Sequence, residues 1–175
     1  MRIRWHESWV PKHAIFLSGP IGTGKTSLGR MLAEKLGGAF IDGDDHSDAG
    51  RPWYCSILRT SRAVLRTSLA VLEDRPLVVI AYPLGCTTWV FYKRGFGDAG
   101  VRPLFVNLRA SFEEIVSPAR GRVFIDEELA RIKVMIREGY SDRQFGDLAI
   151  DTGDRSLEFT LQHLISEVMR IVQVG

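Results

Sequence analysis

Hydrophobic positions along the chain follow two alternating rhythms. Five short apolar runs, "HAIFLS", "GAFID", "PLVVIAY", "RPLFVNL" and "LAIDT", are separated by longer stretches in which apolar residues recur every three to four positions. The runs have the length of strands and carry apolar residues on both faces, as strands of a parallel sheet covered on both sides must. "TSLGRMLAEKL" places Leu28, Met31, Leu32 and Leu36 on one helical stripe, and "WYCSILRTSRAVLRTSLAVLEDR" does the same with Ile57, Leu58, Val64, Leu65, Leu69 and Leu72. "TTWVFYKRGFGDAG" predicts a short helix closed by glycine. Ser111-Phe-Glu-Glu114 reads as a capping box that opens another helix after the fourth strand. "IDEELARIKVMIREGY" predicts a further helix, and "SLEFTLQHLISEVMRIV" closes the chain with Leu157, Leu161, Leu164, Ile165, Val168 and Val172 facing inward. The alternation predicts an α/β fold, with helices on both faces of the sheet.

With 175 residues the chain is one domain, spanning 1–175, with residues 1–12 as a loosely docked leader. In open parallel sheets ligands bind beyond the carboxyl ends of the strands, so the loops there are where chemistry is expected. The first strand runs into "SGPIGTGKTS", in which Gly19, Gly24, Lys25 and Thr26 have the spacing of a phosphate-binding loop and Gly22 is an extra glycine inside it. Glycine permits positive φ and close backbone approach, so the N–H groups of Gly22, Thr23, Gly24, Lys25, Thr26 and Ser27 can wrap an anion. The loop empties into a helix N-terminus, where unpaired N–H groups and the helix dipole both favour negative charge. Lys25 is expected to reach the terminal phosphates of a nucleotide and the Thr26 hydroxyl to ligate Mg2+. The bland alternative is a glycine-rich turn that matches by accident, which the strand-loop-helix context argues against.

Composition changes the picture little. Hydrophobic residues make up 45% and charged residues 25%, and a net charge of +2 with scattered basic residues gives no reason to expect a nucleic-acid partner. "MRIRWHESWVPKHA" is too polar for a signal peptide, and no apolar run approaches the ~18 residues of a membrane span, so a cytoplasmic protein is expected, monomeric or weakly dimeric. Cys55 and Cys86 lack metal-ligand spacing and read as small buried hydrophobes, with a reactive thiol at Cys86 as the alternative. His6, His13 and His163 show no partner pattern, so surface or helix roles suffice for them.

"GPIGTGKTSLGRMLAEKL" followed by "FIDGDD" resembles the shikimate kinase family and its small P-loop kinase relatives, which include gluconate kinases. The resemblance is specific over residues 15 to 45 and extends in layout over nearly the whole chain. It implies a three-layer P-loop NTPase fold, with a five-stranded parallel sheet in the order 2-3-1-4-5 and a small lid, here about residues 117–126. It also implies transfer of the γ-phosphoryl group of ATP, with Mg2+, to a hydroxyl of a small carbocyclic or sugar acid. Nucleotide and small-molecule acceptor are then the partners.

Carried over by position, Asp42 resembles the aspartate that contacts the magnesium shell, and Asp44 the one that binds acceptor hydroxyls beside the transferred phosphate. Arg62 and Arg143 resemble two arginines that grip the acceptor's carboxylate, and Gly85 is similar to the last glycine of the acceptor loop. Arg120 and Arg122 fall in the lid, where the family carries an arginine near the ATP phosphates, and either of the two can be that arginine. Asp151 to Arg155 sits where the family loop packs against adenine. The chain departs from the family at the acceptor side. The triple glycine after the third strand is Pro83-Leu84-Gly85, the glutamate three residues after the first arginine is Leu65, and the lid lacks an arginine-proline-leucine run.

Each assignment has a plainer reading. "DGDDH" is otherwise an acidic turn, Arg59, Arg62 and Arg66 a solvated helix face, Arg143 an ion pair with Asp142 or Asp147, and "SPARGRVF" a loop. Among Trp53, Tyr54, Trp89, Phe91 and Tyr92, the reading favours core for Phe91 and a pocket wall for Trp53. The expected function is an ATP-dependent kinase for a small hydroxylated acid, with Lys25, Asp44 and Arg122 as the catalytic groups. The alternatives are a non-catalytic nucleotide-binding regulatory module, or a nucleoside, nucleotide or antibiotic kinase of the same fold.

Overall fold

The computed structural model describes residues 12–47 and 53–174, with 53–55 and 173–174 described in backbone only. Its strands are β1 (His13–Ser18), β2 (Ala39–Asp42), β3 (Leu77–Ala81), β4 (Arg102–Arg109) and β5 (Leu148–Asp151). Its helices are α1 (Lys25–Leu36), α2 (Trp53–Asp74), α3 (Cys86–Asp98), α4 (Phe112–Ile115), α5 (Asp126–Arg137) and α6 (Leu157–Val174). The five strands form one parallel sheet in the order β2-β3-β1-β4-β5. The strand order implied by the family resemblance is therefore the one observed. None of the described helices is long and apolar enough to cross a membrane.

Strand alternation divides β1 between two cores. Ile15 and Leu17 join Leu28, Leu32 and Leu36 of α1 and Leu161, Leu164 and Val168 of α6 on one face. Ala14 and Phe16 join Val64 and Leu72 of α2 and Tyr92 and Phe96 of α3 on the other. Both faces of the central strand are thus sealed, which fixes where its carboxyl end, and the loop that follows, must lie. A third, smaller cluster of Ala110, Ile115 and Ile132 packs with Ile21 and Phe124, joining α4 and α5 to the phosphate loop.

The structure corrects several expectations. Leu58 is 54% exposed, because a 22-residue helix is about 33 Å long and outruns the sheet it covers. Leu157, expected to face inward, is 45% exposed in the first turn of α6, where it borders a cavity. The helix opened by Ser111 is a single turn, although its capping box is formed as expected, with the Ser111 N–H donating to Glu114 Oε2 at 2.6 Å. It stops because Ser117 precedes Pro118, and a residue before proline is pushed out of the helical region. Phe91 packs against the second core, as expected, whereas the side chains of Trp53, Tyr54 and Cys55, like residues 1–11 of the leader, lie outside the described residues.

Cys86 is exposed at the first position of α3, contrary to the buried role expected for it. His13 is buried at 3% exposure in β1, with Nε2 lacking a hydrogen-bond partner. Burial, reinforced by the charge of Arg102, lowers its pKa below the ordinary 6.5. Below that pH the unfolded chain therefore takes up a proton that the folded chain resists, so stability contributed by neutral His13 is lost as pH falls. Denaturant midpoints measured between pH 7.5 and 5.5 are expected to drop more steeply for the wild type than for His13→Val, and equal slopes would exclude the histidine as the cause.

Candidate active site

The loop after β1 takes its shape from three glycines at positive φ: Gly19 at 149°, Gly22 at 83° and Gly24 at 89°. A Cβ at Gly19 would lie 2.5 Å from the Leu108 carbonyl oxygen, and one at Gly22 would lie 2.6 Å from Ile115 Cγ2 and 2.9 Å from Phe124 Cζ. Conformation and space therefore both demand glycine at these two positions. The Thr23 hydroxyl donates to the Pro20 carbonyl at 2.9 Å and closes the loop on itself. Lys25 opens α1 and folds its ammonium back over the loop, donating to the carbonyls of Pro20 at 2.7 Å and Gly19 at 3.0 Å. Burial brings its pKa from 10.5 down to about 8; Asp44 and Asp42 oppose that fall, and Arg122 adds to it.

Across from the loop, β2 ends at Asp42 and the chain enters a 3-10 turn, Gly43–His46. Asp42 works in two directions. One carboxylate oxygen accepts from the Thr26 hydroxyl at 2.9 Å, and the other accepts from the Asp44 N–H at 3.2 Å, which builds the turn that presents Asp44. Partial burial, then the neighbouring Asp42 charge, raises the pKa of Asp44, while Lys25 pulls the other way. The two carboxylates are thus drawn together at the phosphate loop, and one of them is biased toward holding a proton.

A cavity of about 920 Å³ opens at this end of the sheet. Its wall includes Gly22, Thr23, Gly24, Lys25, Thr26 and Ser27 of the loop, together with Asp44, Arg120, Arg122 and Arg155. Arg62, Gly85 and Arg143 are not on that wall, and Asp42 reaches it through Thr26. Arg120 and Arg122 differ in their surroundings. Arg120 donates only to backbone carbonyls, whereas Arg122 pairs with Glu128 at 2.7 Å, lies 4.6 Å over the Phe124 ring and is near enough to lower the pKa of Lys25.

Of the residues expected to bind an acceptor, Arg62 is exposed on α2. Arg143 lies 4.1 Å over the Tyr140 ring, and its Nε is buried without a hydrogen-bond partner. Neither aspartate suggested as its ion-pair partner takes that role: Asp142 pairs with Arg109, and Asp147 accepts the Phe105 N–H at 2.8 Å. The segment after β3 offers no free amide. Pro83 has none, the Leu84 N–H donates to Ser18 Oγ at 2.9 Å, and the Gly85 N–H donates to Thr88 Oγ1 at 3.0 Å.

Sequence reasoning missed Glu128, which lines the cavity and holds Arg122, and Tyr82, whose ring lies against Gly43 so closely that a Cβ there would be 2.2 Å from Tyr82 Cδ2. An acidic residue six positions beyond Arg122, at the third position of a helix, was the available signal for the first. Nothing local marks the second.

No family model matches the chain. A shikimate kinase of Psychrobacter sp. (strain PRwf-1) is 43% identical over 164 residues, 87% of this chain and 89% of that one. A shikimate kinase of Halorhodospira halophila is 29% identical over 156 residues, 82% of this chain and 86% of that one. Among solved structures, a gluconokinase from Sinorhizobium meliloti 1021 superimposes with a TM-score of 0.69 at 18% identity, covering 94% of this chain and 95% of that one. A shikimate kinase from Acinetobacter baumannii in complex with shikimate gives 0.62 at 22%, covering 92% and 94%. The two superpositions share the fold described above, and the sequence identity, joined to a glycine-shaped phosphate loop facing a carboxylate pair, places the chain in the shikimate kinase family as an ATP-dependent small-molecule kinase.

Proposed function

We propose that the chain transfers the γ-phosphoryl group of magnesium ATP to a hydroxyl of a small hydroxylated carboxylic acid. The observation that carries this reading is that Lys25, Thr26 and Asp44 border one cavity, with Asp42 joining Thr26 to the turn that presents Asp44. Phosphoryl transfer asks a protein mainly for positioning and for charge to offset the three equatorial oxygens. Lys25 and Arg122 supply that charge. Asp44 accepts a hydrogen bond from the acceptor hydroxyl, holds it in line and takes its proton late.

The donor set fits magnesium. Among the described residues no group of three or more His, Cys, Asp or Glu side chains converges, and one hydroxyl beside one carboxylate suits an ion that keeps several waters and takes the rest of its ligands from phosphates. Thr26 would hold the ion and Asp42 its water shell; bound there, Mg2+ offsets the charge that develops on the phosphates. Residues 117–126 act as the lid that carries Arg122 over the phosphates, and the loop through Arg155 receives the base.

The unpaired Nε of Arg143 supports an anionic acceptor, since a planar guanidinium binds a carboxylate in two-point fashion. Because none of Pro83, Leu84 and Gly85 has a free amide, that segment does not read the acceptor, which is read by side chains, with Arg143 joined by Arg62. A second reading, an uncharged alcohol as acceptor, is favoured by the exposure of Arg62 away from the cavity wall. Both are tested by incubating the protein with magnesium ATP and a panel of hydroxy acids and uncharged polyols, and measuring acceptor-dependent ADP. Arg143→Ala is expected to raise the KM of an acidic acceptor about tenfold with the KM for ATP unchanged. Turnover confined to uncharged polyols, or a parallel rise in both KM values, would reject the acid reading.

A further inference from the structure

Arg120 closes the 3-10 turn Pro118–Arg120, and Gly121 behind it, at φ 65°, reverses the chain. Its guanidinium turns inward. Nη1 donates to the Gly22 carbonyl at 2.9 Å, and Nη2 donates to the carbonyls of Thr152 and of Gly153, the latter at 3.2 Å. Gly22 belongs to the phosphate loop after β1, and Thr152 and Gly153 begin the loop between β5 and α6. Both loops line the same cavity, and they are 98 and 32 residues away from Arg120 in sequence.

Each loop also has ties of its own, the phosphate loop through the Thr26 hydroxyl to Asp42 and through Ile21 to the cluster around Ile115 and Ile132. The base-side loop hangs from β4 through the Thr152 N–H and hydroxyl, both donating to the Arg109 carbonyl at 2.8 and 3.0 Å, and it turns by the Gly153 N–H donating to Asp151 Oδ1 at 2.8 Å. The phosphate loop closes on itself through Thr23. Among the described residues, Arg120 bonds to both. Its rigid fork suits this role, because one planar group with several donors can bridge carbonyls from different segments, and charge-assisted bonds are roughly twice as strong as neutral ones. Gripping the Gly22 carbonyl also fixes the Gly22–Thr23 peptide plane, and with it the direction of the Thr23 N–H.

We infer that Arg120 is a positioning residue that sets the spacing between the phosphate loop and the base-side loop, acting through their carbonyls and not by touching the phosphates. The inference rests on ATP occupying this cavity. The two lid-region arginines then have different roles, since Arg122 meets the phosphates while Arg120 makes binding of the base and of the phosphates one event.

Inorganic tripolyphosphate separates these roles, because it fills the phosphate loop and reaches no base-side contact. In competition and calorimetric titrations with the full chain, Arg120→Ala is expected to weaken ATP about tenfold or more while changing tripolyphosphate affinity less than about threefold. Arg122→Ala is expected to weaken both in parallel. In turnover, Arg120→Ala raises the KM for ATP with kcat nearly kept, which a general loss of folded protein would not do. Should Arg120→Ala fail to fold, Arg120→Lys keeps the charge but loses the fork and is expected to show the same selective loss of ATP. Equal losses for the two ligands would overturn the inference by making Arg120 a phosphate contact, and no loss for either would show the bridge to be idle. A wild type that binds tripolyphosphate and ATP equally well would also overturn it. One that binds neither would remove the nucleotide reading of the cavity and this inference together.

Discussion

Replacing Lys25 by alanine is expected to lower kcat for phosphoryl transfer by about a thousandfold, the largest effect foreseen for any single substitution in this chain. The ammonium is held over the loop by the Gly19 and Pro20 carbonyls, at the mouth of the anion cradle and next to Asp44 and Asp42. Burial leaves it with a pKa of about 8, so its charge is sustained partly by these acidic neighbours, and a polyphosphate would favour the cation further. Substitution removes the charge and also takes one donor each from the Gly19 and Pro20 carbonyls, the second of which keeps the Thr23 hydroxyl, so the loop loses an internal tie. Thermal denaturation separates the two consequences. A melting temperature close to wild type with turnover lost places the effect on the chemistry, whereas turnover retained within tenfold would contradict the role given to Lys25.

Asp44→Asn is expected to reduce kcat by about a hundredfold or more while leaving ATP affinity near the wild-type value. The side chain keeps its shape and its place on the turn built by Asp42, but an amide cannot take the acceptor's proton. The raised pKa gives two further expectations. In the rate profile the acidic limb should lie above the ordinary carboxylate range, because the proposed transfer needs Asp44 ionised and burial beside Asp42 resists that. In stability the sign is the reverse of a salt-bridged carboxylate. A folded pKa above the unfolded one means that the charged form costs stability at neutral pH and that the cost is relieved as pH falls. Asp44→Asn should therefore melt at or above the wild-type temperature at pH 7, which a differential scanning measurement decides. Undiminished turnover in this variant would remove Asp44 from the mechanism.

Most of the architecture was legible because its signals are periodic or fixed in spacing. β3 is apolar throughout and β1 from Ala14 to Leu17, α1 and α6 carry stripes that meet the same face of the sheet, and the loop between β1 and α1 announces itself by four residues at set intervals. Asp42 and Asp44 could be picked out because a turn directly after β2 opens at the same carboxyl edge of a parallel sheet as the loop after β1, one strand away. What could not be read depends on register between distant segments. The Ser18 hydroxyl meets the Leu84 N–H across 66 residues, and Arg120 meets Gly22 across 98. Phe124 against Gly22 is of the same kind, since its place follows from where α5 starts, not from its own neighbours. Cys86 misled for a related reason. A residue type that is usually buried sits at the first turn of α3, at the open rim of the sheet, where no core exists to receive it.

The bond from the Leu84 amide to Ser18 limits how this scaffold can be re-engineered. Writing glycines at positions 83 and 84 would restore flexibility and one donor after β3, but the second donor would stay claimed from beneath by a hydroxyl on the central strand. A graft aimed at a backbone-lined acceptor site must therefore exchange Ser18 as well, a core position no loop design would ordinarily reach.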